Sequence, residues 1–167
     1  MQYFTSEWVR GILTDAESEA VVARYNRYLS TLDRSSAVWR FATSVSLNDA
    51  YLDRLIFDSR KGNLQLLLLT GDLQVGYWHT RLVYAGATID CGMTLLRDSL
   101  SRRPAEILYD EFSGEAGRMS HGFLLKPAFN MLTEADEVRI SFKEFSYTQV
   151  AAESRSLLTS DDQSEWA

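Results

Sequence analysis

The chain has one cysteine, two prolines and two histidines among 167 residues, and fewer basic side chains than acidic ones. Each shortage removes a class of function. A single thiol, Cys91, has no intramolecular disulfide partner and cannot supply the several thiolates of a structural zinc site, so a reducing cytoplasm is the expected compartment. Seventeen Lys and Arg against 23 Asp and Glu leave a net charge of −6 and a pI near 4.9. Nucleic acid and anionic membrane both attract proteins with the opposite balance. The obvious basic group, Arg97 with Arg102 and Arg103, reads as a solvated helix end. Apolar runs are short. Leu66 to Leu69 falls far below the roughly 20 residues that cross a bilayer, and the opening Met1-Gln2-Tyr3-Phe4-Thr5-Ser6-Glu7 has no apolar core of an export signal. Gly71 to Gly76 has the first spacing of a phosphate loop, but Tyr77 and Trp78 stand where Lys and Ser or Thr are required. No Gly-x-Ser-x-Gly elbow occurs.

What the chain does have is apolar material, 46% of its residues. It is concentrated in Leu64 to Tyr84. Leu64-Gln65-Leu66-Leu67-Leu68-Leu69 has leucine at nearly every position, which suits a strand buried on both faces in the middle of a sheet. Tyr77 to Tyr84 reads as its neighbour, with Trp78, Thr80, Leu82 and Tyr84 on one face and Tyr77, His79, Arg81 and Val83 on the other.

The rest of the chain must supply the cover. Thr14 and Glu17 spell a capping box for a helix running to about Leu32, with Val21, Tyr25, Leu29 and Leu32 as its apolar stripe. Tyr3 to Ile12 suggests a helical turn packed nearby, and a second helix is expected from Ser35 or Ser36 through Val45. The period then changes from helical to alternating. Leu52 to Asp58 is expected to place Leu55 and Phe57 with Asp53, opposite Leu52, and to return through Arg60-Lys61-Gly62-Asn63 as a hairpin. Ile89 to Arg103 could form a short helix ended by Pro104. Ala105 to Phe112 and Arg118 to Lys126 read as a hairpin, and Val138 to Tyr147 as a strand with a bulge near Glu144. The expectation is one α+β domain over 1–151, N-terminal helices packed on an antiparallel sheet that is either curved or split into a sandwich. Residues 152–167 read as an acidic, mobile tail.

Two polar groups stand out as candidate sites. Asp110, Glu111 and His121 flank the Ser113 to Gly117 turn, and such carboxylates beside an imidazole suit either a divalent metal or general acid–base chemistry; they suit equally a salt-bridged strand pair. His79 is the other histidine. Asn48 and Asp49, with Asp53, sit at the junction of helix and strand, where a capped turn explains them as well. Cys91, beside Gly92 and Met93 and without a basic neighbour, reads as a small buried residue. The aromatic residues read mainly as core filling. Nothing calls for a cofactor or a resident metal.

Ser46-Leu47-Asn48-Asp49-Ala50-Tyr51-Leu52, then Glu106 to Glu111 and Ile140 to Phe145, resemble the DUF4085-like group of uncharacterised bacterial proteins, and the outline is similar to some toxin-immunity proteins. The opening Tyr3-Phe4-Thr5 is similar as well. That group commonly has His-Asp-Ala or His-Asp-Ser at the junction, and Asn48 replaces its histidine here. The resemblance implies no established activity; together with the acidic balance and the absence of a catalytic signature it leads to the expectation of a bacterial protein-binding or immunity-like module without catalysis, with a protein partner and either a monomeric or homodimeric state. The alternative is a small-molecule-binding protein or metal-dependent hydrolase using Asp110, Glu111 and His121.

Overall fold

The computed structural model describes residues 1–102, 105–115, 117–126 and 136–155. Three N-terminal helices, α1 (Ser6–Val9), α2 (Asp15–Thr31) and α3 (Ala37–Ser44), precede strands β1 (Ala50–Asp58), β2 (Asn63–Asp72), β3 (Gly76–Ala85) and β4 (Thr88–Cys91). Helix α4 (Met93–Arg102) leads into β5 (Ala105–Glu115), β6 (Arg118–Leu125), β7 (Glu137–Phe142) and β8 (Glu144–Ala152). The fold is α+β. Pro104, Pro127, Asn130 and the tail after Arg155 lie outside the described residues.

Local chemistry starts each helix. Thr14 accepts from the Glu17 amide while the Glu17 carboxylate accepts from Thr14 N–H at 2.8 Å, which satisfies two end amides of α2. Ser36 caps α3 by accepting from Trp39 N–H. On α2, Val21, Tyr25 and Leu29 recur at steps of four and are buried. The hydroxyl of Tyr25 accepts from the Phe112 amide at 3.0 Å, and that of Tyr28 donates to the Gly114 carbonyl at 3.1 Å. β1 pairs with β5 only as far as Ile107, so these two tyrosines take over backbone groups that the next strand does not reach. Burial raises the pKa of both, that of Tyr28 to about 12, and keeps each hydroxyl protonated.

The eight strands form one open antiparallel sheet in the order β4-β7-β6-β5-β1-β2-β3-β8. The leucine strand β2 is interior, between β1 and β3. Leu64, Leu66 and Leu68 enter the main core, and Leu67 and Leu69 are buried on the other face. There Arg54 and Arg81 flank Leu67 and Tyr51 and His79 flank Leu69. A shift of register between Leu52 and Arg54 corrects the expected alternation of β1: Leu52 shares the core face with Leu55 and Phe57. A second expectation needs a similar adjustment. The parity change near Glu144 falls at Lys143, where the chain leaves β6 and β4 as β7 and joins β3 as β8, so that Phe142 and Phe145 both enter the core.

These bends bring the two ends of the sheet together. β3 runs into β4 through Gly86 and Ala87 while β7 runs into β8 through Lys143, and Lys143 N–H donates to Ala85 O at 3.0 Å between the two ladders. Gly86, in the left-handed region at φ +62°, is required there, because a Cβ would meet Lys143 side-chain atoms at 2.9 Å. The sheet is therefore coiled around its core, with α3 inserting Phe41 against Phe112, Phe145 and Tyr147.

Candidate functional site

His121 lies on β6 opposite Phe112 of β5, on the core face, and is fully buried. Its Nε2 is 2.9 Å from Asp110 Oδ2 and its Nδ1 is 2.8 Å from Tyr84 Oη. A carboxylate only accepts, so Nε2 carries the proton and Nδ1 accepts from the Tyr84 hydroxyl. The ring stacks on Phe112 at 3.8 Å between centroids, with Phe123 at 4.1 Å. Burial lowers the pKa of His121 against the opposing pull of Asp110, and burial raises that of Tyr84. Both groups are thus held neutral. With both nitrogens occupied and no surface, this imidazole fastens β6 to β3 and has no free atom for a substrate or metal.

Glu111 does not join it. Alternation along β5 turns Glu111 to the opposite face, where it is also buried and accepts from the backbone amides of Gln2, Tyr3 and Phe4, the last two at 2.8 and 2.9 Å. Its partner across the ladder is Gly122, whose missing side chain leaves room for the N-terminal segment. Phe4 and Trp8 then pack on Tyr109 at 5.8 and 4.9 Å. His79 lies on the outer face of β3 between Leu69 and Val150, and so is separated from His121 by the sheet. Among the described residues no three His, Cys, Asp or Glu side chains converge as a metal-binding group. Cys91 is exposed at the end of the short edge strand β4, which corrects the expectation that it is buried.

Asn48 and Asp49 have a different setting. They line a groove of about 1070 Å³ at the open end of the coiled sheet, with Thr70, Asp72, Trp78 and Gln149 among its other walls. Asp49 adopts the left-handed region at φ +59°, which short polar side chains tolerate, and its N–H donates to Ile107 O at 2.9 Å. The floor is polar and satisfied: Thr70 and Thr80 hydroxyls are 2.8 Å apart, and Gln149 donates to Thr80 at 3.1 Å. Over the groove stands the β2–β3 turn. Asp72 accepts from the amides of Gln74 and Val75 at 2.7 and 3.0 Å, and those bonds hold its pKa below the usual carboxylate range. Leu73 is 91% exposed, Val75 68% and Trp78 38%. On the opposite rim, Lys126 binds both oxygens of Glu106 at 3.0 Å, and the Arg155 guanidinium lies 4.5 Å from the centre of the Tyr51 ring.

Comparison of the chain with protein-family models, curated proteins and solved structures gave no match. The sequence reading missed Leu73, Val75, Tyr51 and Arg155 as part of this site, and it weighed Trp78 as a groove or interface residue but favoured core filling. One signal was available: Leu73 and Val75 lie inside a glycine-bounded turn, where apolar side chains have no core to enter.

Proposed function

We propose that this chain is a non-catalytic, protein-binding module of a bacterial cell, of the immunity-like kind, and that it meets its partner with the open end of the sheet. The observation that carries the reading is the β2–β3 turn. It is stiffened by Asp72 yet presents Leu73 and Val75 to solvent beside a large groove and the half-exposed Trp78. Exposed apolar side chains on a rigid support, rimmed by polar groups, are the composition of a docking surface with an aromatic anchor. The occupied state of His121 and the separation of Glu111 from Asp110 favour binding over hydrolysis.

The test is affinity enrichment from the source organism with the wild-type chain and a Leu73→Ser/Val75→Ser variant in parallel. Neither side chain is buried, so the variant should melt with the wild type. A protein retained by the wild type and lost by the variant, and then shown to bind with both components purified, is the expected result. Identical profiles for the two chains would reject the reading.

A further inference from the structure

We infer that the groove at the open end receives a lysine or arginine side chain from a basic segment of the partner protein. This rests on the docking reading above and adds the chemistry of what enters. The groove is lined by three carboxylates, Asp49, Asp72 and Glu106, against two cations, Lys126 and Arg155. Both cations are already engaged: Lys126 is held by Glu106, and Arg155 lies on Tyr51. Asp49 and Asp72 form no salt bridge among the described residues. Asp72 is held firmly in its charged form by two backbone amides. Trp78, on the same face of β3 as Thr80, lines this space, and an indole is the best of the aromatic faces on which a cation rests.

The chain itself displays the chemistry. Arg155 sits over Tyr51 with its guanidinium directed at the Asp49 carbonyl oxygen, a cation held by a ring and an oxygen on the rim of this groove. An incoming guanidinium or ammonium resting on Trp78 with Asp72 as its oxygen partner would repeat that arrangement, and Asp49, which already adds to the field on Lys126, contributes to the negative potential of the same groove. The net charge of −6 draws a basic partner toward the surface over longer range. An acidic partner would meet the field of the whole chain as a barrier, and a purely apolar one would leave Asp49 and Asp72 desolvated without compensation.

The probe is a capped peptide of alternating arginine and glycine, with a citrulline-for-arginine peptide as the neutral control, titrated into the isotopically labelled full chain. The Trp78 indole and the backbone amides of 70–78 should shift with the arginine peptide, and the citrulline peptide should bind at least about tenfold more weakly. Asp49→Asn/Asp72→Asn should weaken the arginine peptide by about tenfold, roughly two exposed charge contacts. Asparagine keeps the Oδ1 acceptor of the turn and tolerates the left-handed backbone, so the variant retains the fold. Equal binding of the two peptides, shifts confined to another surface, or no shift at millimolar peptide would overturn the inference. Concentration-dependent shifts of the same amides without peptide would assign the groove to a second copy of the chain and overturn it equally. A partner lost on Leu73→Ser/Val75→Ser but retained undiminished by Asp49→Asn/Asp72→Asn would leave docking in place and remove the cation.

Discussion

Tyr84 Oη and His121 Nδ1 are 2.8 Å apart although their strands, β3 and β6, are four places apart in the sheet. In a flat sheet four steps span about 19 Å. The hydrogen bond is therefore a direct consequence of coiling, and it fixes two distant strands across the core. Tyr84→Phe removes the donor and leaves Nδ1 buried without a partner. The expected loss is about 1–3 kcal/mol in denaturant unfolding with little change in its slope, because the core retains its shape.

The same histidine sets a pH dependence. Its pKa is lowered in the folded state by burial, so below the ordinary value of 6.5 the unfolded chain binds a proton that the folded chain resists. Stability then falls as pH drops below about 6.5 and continues to fall until the folded pKa is reached, by at most about 1.4 kcal/mol per pH unit. His121→Gln abolishes this component while lowering stability at neutral pH. Unfolding curves of both chains between neutral and mildly acidic pH measure the difference in slope.

Glu111 anchors the N-terminal segment through three amides. Glu111→Gln replaces one acceptor oxygen by a donor that faces those amides, at an expected cost of about 2–3 kcal/mol for a charge-assisted bond. Hydrogen exchange should accelerate first at Tyr3 and Phe4, ahead of β2.

Gly71 has φ +91°, and a Cβ there would stand 2.0 Å from Gly76 O. Gly71→Ala must open the β2–β3 turn, so it should reduce partner binding as well as stability. Gly76, with φ +87° and open space around its missing side chain, carries only the backbone strain of an alanine, about 1–2 kcal/mol. Paired melting curves of the two alanine variants separate collision from strain.

Much of the fold is legible in the sequence because its signals are local. The capping box of α2, the leucines of β2 and the alternation of β3 each specify an element without reference to the others. The coiling is not local: it depends on bends at Gly86 and Lys143, which only matter once β3 has met β8 and β7 has met β4. The site shows the same division. Asp110 and His121 meet as their hairpin suggests, whereas adjacent strand positions put Asp110 and Glu111 on opposite faces, a separation already implicit in strand alternation. Asn48 and Asp49 gain meaning only from the β2–β3 turn and Arg155, which the fold brings to the same rim.

The central claim is that the open end is the working surface and the buried histidine a structural tie. Site-specific photocrosslinking in the source cells tests it most directly, with the reactive residue placed at Val75 in one chain and at Arg27 on the exposed face of α2 in another. The account predicts one discrete covalent adduct from position 75 and none from position 27. No adduct at 75, or the same adduct from both positions, would contradict it.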